Sequence, residues 1–149
     1  MKRSIALVAI AGILLSGCGT TTTKALTDKW MTKANQDKGF HALRADISKT
    51  VKYLRAPSST QADLHTLCSV LNIEIHGAND HLPTPDTQAT ELLAKGYDAL
   101  AIATTQCDEA FANPAKRAAA IENFSKGFGD LYFGMTRLYR VLGRTGTPR

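Results

Sequence analysis

From residue 26 onward apolar and polar positions alternate in steps of three and four, the period of an amphipathic helix. The first such stretch covers residues 26–54, with Leu26, Trp30, Ala34, Phe40, Leu43, Ile47, Val51 and Leu54 on one stripe. Asp37 and Gly39 interrupt it and predict a bend or a frayed first half. Pro57 ends it by biasing Ala56 away from helical angles. Ser58, Ser59 and Thr60 then offer N-caps, and Thr60 with Asp63 forms a weak capping-box pattern. The helix they introduce carries Leu64, Leu67, Cys68, Leu71 and Ile75 on one face and should end near Gly77 or Asn79. A third helix opens at Thr84 or Asp86, with Pro85 at or near its first position. Its stripe of Ala89, Leu93, Gly96, Leu100, Ala103, Cys107 and Ala110 is narrow and built of small residues. Asn113 and Pro114 stand as N-cap and first residue of the fourth and most regular helix, lined by Ile121, Phe124, Phe128, Leu131, Met135, Leu138 and Leu142. Gly127, Gly129 and Gly134 weaken its propensity and are expected where a neighbouring helix approaches closely; Gly143 is placed to end it. Without strand-like alternation or an internal repeat, the pattern predicts an all-α, antiparallel four-helix bundle over residues 26–143, followed by a disordered basic tail at 144–149.

The pattern upstream is different. Lys2 and Arg3 precede eleven apolar or small residues, 5–15, and the run closes on Leu15-Ser16-Gly17-Cys18. A basic start, a short apolar run and small residues before a cut site describe a secretory signal. The run is also shorter than the about 20 apolar residues that a spanning helix needs. Leu15-Ser16-Gly17-Cys18 resembles the lipobox of bacterial lipoproteins. That resemblance implies removal of residues 1–17 as a signal peptide and a diacylglyceryl group on Cys18. Residues 18–25 then form a lipidated N-terminus and short polar tether. The six residues from Gly19 to Lys24 reach at most ~20 Å, which keeps the folded part near the membrane surface. The expected location is extracytoplasmic and lipid-anchored to the cell membrane, or to the outer membrane if the source is Gram-negative. Membrane lipid, through the acyl chains on Cys18, and a membrane or envelope protein are the expected partners.

Charge and cysteine count refine this picture. Loss of Lys2 and Arg3 takes the formal net charge from +5 to +3, and with export this argues against nucleic acid as a partner. The remaining positive charge is uneven: Lys126, Arg137, Arg140, Arg144 and Arg149 face only Asp130 at the C-terminal end. They form a solvated helix face with a basic tail, or a contact for anionic headgroups. With Cys18 assigned to lipid, Cys68 and Cys107 remain as an even pair, either a disulfide or two buried thiols. A disulfide requires Cα atoms within about 7 Å. If the third helix runs antiparallel to the second from Asp86, Cys107 lies roughly 31 Å below its start, while the second helix rises only roughly 18 Å from Cys68. The missing ~13 Å fits an extended, proline-rich connection gaining about 3 Å per residue. A parallel arrangement fails. The loop so closed, about 40 residues, would contribute on the order of 3–4 kcal/mol.

Candidate chemistry is sparse. His76, Asp80, His81 and Asp86 cluster in the second connection with Glu74 just upstream, and two imidazoles with a carboxylate suit zinc or copper. Their spacing matches no defined site, so His76, His81 and Asp80 stand only as weak metal candidates and otherwise read as loop residues and caps. Glu74, Glu91, Glu109 and Glu122 are each followed three places on by Gly77, Ala94, Ala112 and Ser125, which excludes the Glu-x-x-His pairs of di-iron bundles. Haem-attachment and Gly-x-Ser-x-Gly motifs are absent, and cysteines in a disulfide are not nucleophiles. Gly127-Phe128-Gly129 is too short and too deep in a helix to cradle phosphate. Trp30, Phe124, Phe128, Tyr132, Phe133 and Tyr139 read as core and half-buried surface, with Phe133, off the main stripe, the one aromatic suspected of facing a partner. Neither a catalytic site nor a cofactor is expected.

From Leu67-Cys68 through Pro83-Thr84-Pro85-Asp86 to Cys107, the pattern resembles a group of small exported actinobacterial helical-bundle proteins with two spaced cysteines. The resemblance spans roughly residues 30–142 and implies compartment, fold and disulfide, but no reaction. Small lipoproteins of temperate phages that block entry of competing DNA share the overall design. The expected function is thus a non-catalytic interaction or structural module at the cell surface. The alternatives are phage-type superinfection exclusion, and a small-ligand or metal carrier using the bundle interior or the histidine loop.

Overall fold

The computed structural model describes residues 22–146 and 148; the signal segment, Cys18 and the first half of the tether lie outside the described residues. Among the described residues there are five helices and no strand: α1 (Thr23–Lys33), α2 (Gln36–Arg55), α3 (Gln61–Asn79), α4 (Thr87–Glu109) and α5 (Pro114–Leu142). The all-α expectation holds; the count of four does not. The first predicted helix is two, broken at Asn35, which adopts a left-handed conformation at φ 47° and ψ 44°. After glycine, asparagine is among the residues that enter this region most readily. Asn35 N–H closes α1 onto Thr32 O at 3.2 Å, and Asn35 O accepts from Gly39 N–H at 3.0 Å to start α2. The break thus precedes Asp37 and Gly39, where the polarity pattern put it. Helix α1 also begins at Thr23, capped by the Thr22 hydroxyl 3.3 Å from Ala25 N, so the expected tether is already helical before residue 26. Its buried side chains are Thr27 and Met31, while Leu26 is exposed and Trp30 half-buried. In α2 likewise Thr50 is buried where Val51 was expected.

The other boundaries follow local chemistry. Thr60 and Asp63 form a reciprocal capping box, with Asp63 N–H donating to Thr60 Oγ1 at 3.2 Å. Asn113 Oδ1 accepts from Ala115 N at 3.0 Å ahead of Pro114, and Gly143 ends α5 at φ 74°. Asp86 is the N-cap of α4, accepting from Ala89 N at 2.8 Å, so Pro85 precedes the cap instead of following it.

Helices α4 and α5 form the most extensive pair. They run antiparallel: Leu93 meets Gly134, Gly96 meets Gly127, and Gln106 accepts from Asn123 at 2.9 Å. A Cβ on Gly127 would sit 2.8 Å from Gly96 O, and one on Gly134 would sit 2.7 Å from Leu93 Cγ. The small-residue stripe of α4 and the glycines of α5 therefore let two backbones touch. Gly129 does not take part, since a Cβ there meets nothing within 4 Å. Helix α3 packs antiparallel on α4, joined by the Cys68–Cys107 disulfide with Cα atoms 5.9 Å apart. Helix α2 covers α3 and α5, with Phe40 stacked on Phe128 at 5.5 Å between centroids. Helix α1 lies over α5 and α2. The core of Leu54, Leu64, Leu71, Leu93, Leu100, Phe124, Leu131 and Leu138 draws on α2 to α5.

Candidate functional site

The residues singled out in the sequence do not gather in one place. His76, Asp80 and His81 are exposed around the end of α3, and among the described residues no three His, Cys, Asp or Glu side chains group as metal ligands. Asp86 is turned away from them: its carboxylate meets the Arg137 guanidinium fork, with Nε at 3.2 Å and Nη2 at 3.1 Å from Oδ2. Burial pushes the Asp86 pKa up, but hydrogen bonds from Arg137 and the Ala89 and Gln88 amides outweigh it and hold the carboxyl below its usual value. Arg144, the first residue of the expected tail, donates to Asp37 at 3.0 Å and lies 3.9 Å from Asp28. Two of the basic residues proposed for headgroups are therefore engaged within the fold. Tyr139 completes this clasp by donating to Asp37 at 2.7 Å, and burial together with that bond pushes its pKa to about 12. Phe133, suspected of facing a partner, is 61% exposed, with Tyr132 edge-on at 6.0 Å.

A different place has the character of a site. Where the α1–α2 junction crosses the end of α3, a cavity of about 240 Å³ opens between four helices. Phe40 and Leu43 of α2 and Met135 of α5 give it apolar walls. Tyr97 of α4 adds a phenol whose pKa burial raises to about 12. Three further polar residues complete the lining: Gln36, at the start of α2, Glu74, one helical turn before the end of α3, and the exposed His81 at the rim. Of these, Gln36 and Glu74 each hold a buried atom without a hydrogen-bond partner, Gln36 Nε2 and Glu74 Oε2. Among the described residues four buried side-chain atoms lack partners, and two of the four line this one cavity. A buried, unpartnered polar group costs about 1–3 kcal/mol, so such groups cluster where something else completes them. Burial, and then the nearby Asp46 carboxylate, raise the Glu74 pKa.

Local sequence explains the placement. The left-handed turn at Asn35 tips the start of α2 so that Gln36, only 6% exposed, points inward where a polar first-turn residue would ordinarily meet water. Gly39 and Gly77 carry no side chain into the space between α2 and α3, and both line the cavity. The Trp30 indole N–H donates to His81 O at 2.8 Å, tying α1 to the connection after α3 and setting the cavity rim.

No family model, curated protein or solved structure matches this chain.

The chemistry must therefore be read from the cavity alone. A mostly apolar concavity with a few convergent polar groups is what a small-molecule site looks like. The sequence signal for it was weak. Gln36 and Glu74 sit on different helices far apart in the chain, and neither belongs to a spacing motif.

Proposed function

We propose that this chain is a non-catalytic binding module of the cell exterior, anchored to the membrane by acyl chains on Cys18, which takes a small ligand with an apolar body into the cavity beneath the α1–α2 junction. The observation that carries the reading is the pair of unpartnered buried atoms, Gln36 Nε2 and Glu74 Oε2, on one otherwise largely apolar cavity. The Cys68–Cys107 disulfide supports an oxidising compartment, and Leu15-Ser16-Gly17-Cys18 supports the anchor. We read α2 to α5 as the antiparallel four-helix body and α1 as an arm laid across it.

Two experiments test the reading. Cys18→Ser should release the protein from membranes; a variant that stays bound after signal cleavage has another anchor. Native mass spectrometry of the chain extracted from its own membrane should reveal a small adduct beyond the acyl mass. That adduct should be absent from Gly39→Leu, whose new side chain enters open space beside the cavity. A wild-type chain that carries no adduct counts against ligand uptake.

A further inference from the structure

The cavity holds a charge that its surroundings leave unanswered. The chain is basic overall, at formal net +5, yet among the described residues no lysine or arginine lines this space, and its one imidazole, His81, is exposed at the rim. Its one carboxylate, Glu74, has an oxygen buried without a donor, and Asp46 of α2 adds a second negative charge nearby. A ligand that brings a cation answers both. Phe40 and Tyr97 add aromatic rings to the lining, and aromatic rings attract organic cations through their quadrupole. The unpartnered Gln36 amide is a donor, so the ligand must also offer an oxygen beside its cationic nitrogen. Phe40, Leu43 and Met135 then take an alkyl body. The volume of about 240 Å³ is below the ~300–1,000 Å³ of drug-sized pockets, which limits that body to a short chain.

Building on the reading of this cavity as a ligand site, we propose that it binds a small amphiphilic amine carrying an oxygen acceptor next to the nitrogen. The ammonium rests on Glu74, the oxygen accepts from Gln36, and the alkyl chain lies against Phe40, Leu43 and Met135. Anionic and neutral amphiphiles of the same shape are discriminated against by the Glu74 carboxylate.

The reporter is built in. Trp30, the only tryptophan, is hydrogen-bonded to His81 at the cavity rim, so its fluorescence should respond to occupancy. The full chain, held in nanodiscs of zwitterionic lipid, is titrated with three near-isosteric probes: N-hexylethanolamine (cationic), ethylene glycol monohexyl ether (neutral) and hexyloxyacetate (anionic). The amine should bind about tenfold tighter than the ether, the usual gap between a charge-assisted and a neutral hydrogen bond, and the anion should bind most weakly. Glu74→Gln should bring the amine down to the affinity of the ether and so erase the preference, and Gly39→Leu should abolish binding of all three. Equal affinity for amine and ether in the wild type, or a preference that survives Glu74→Gln, overturns the proposal. Three probes bound alike, and all lost in Gly39→Leu, leave a ligand cavity but no amine specificity. No response to any probe up to millimolar concentration removes both.

Discussion

Replacing Gly127 by alanine tests the packing logic of the fold most directly, because Gly129→Ala on the same helix serves as its control. Both substitutions add one methyl group to α5, and both should strengthen the helix by about 1 kcal/mol through propensity alone. They differ in what the methyl meets. At Gly127 it would lie 2.8 Å from Gly96 O and 2.8 Å from Leu100 Cγ, inside the contact distance of a backbone atom that cannot rotate away. Helices α4 and α5 must then separate by several tenths of an ångström along their largest contact. Overpacking of this kind costs about 1–3 kcal/mol, and a shift of backbone against backbone belongs at the upper end. At Gly129 nothing lies within 4 Å, so the propensity gain is kept. Gly129→Ala should therefore stabilise by roughly 0.5–1 kcal/mol, and Gly127→Ala should destabilise by about 1–2 kcal/mol. Urea titrations of the oxidised proteins should separate the two by about 2 kcal/mol, or roughly 4–8 °C in melting temperature. A Gly127→Ala protein as stable as Gly129→Ala would show that the two backbones do not touch.

Further tests address the cavity, the disulfide and the α4 cap. The Glu74 pKa is raised in the fold, so the folded state carries a cost that is full above that raised pKa and gone below the ordinary glutamate value of 4.5. Glu74→Gln should consequently raise the melting temperature at pH ~7 but not below pH ~4; an equal gain at both pH values would refute burial of the charged form. Replacing both Cys68 and Cys107 by alanine opens a loop with a sequence separation of 39 and should cost about 3–4 kcal/mol in denaturant titrations. Asp86→Ala removes the N-cap of α4 and the Arg137 fork together and should cost about 1–2 kcal/mol at neutral pH. The depressed Asp86 pKa means that this contribution is present above the usual aspartate pKa and disappears as pH falls through the folded value. Wild type and variant should therefore converge in acid, and a difference that persists there would assign the effect to packing.

Much of the backbone was legible from local chemistry because caps and stops act over three or four residues. Thr60 with Asp63, Asn113 with Pro114, and Gly143 each mark their boundary in the chain as they do in the fold. The disulfide was legible too, since the helix lengths and the proline-rich connection left one geometry that closes. Asn35 was not. A left-handed residue inside a polar run leaves no periodic trace, and the acidic and glycine positions just after it drew attention away. The buried threonines Thr27 and Thr50 misled for a related reason: a threonine can turn its hydroxyl back to the helix, as Thr50 does to Asp46 O at 2.8 Å, and then pack its methyl like an apolar residue. The cavity was least legible of all. Gln36 and Glu74 are ordinary solvated residues until the tilt of α2 brings them to one space.

The clasp of Arg144 on Asp28 and Asp37 has a mechanical consequence. Helix α1 leans on the body through the longer, Asp28 side of that clasp, the Trp30–His81 hydrogen bond and a modest buried face of Thr27 and Met31, whereas α3 and α4 are covalently stapled. If the chain is anchored at Cys18 as proposed, a force applied from its N-terminal side pulls first on α1 and peels its contacts away one after another, without shearing the α4–α5 seam. Peeled as an intact helix of 11 residues, α1 would lengthen the leash by roughly 16 Å. On that proposed anchor, the arm can thus yield like the first stitch of a seam, giving the body reach while its disulfide-stapled helices stay together.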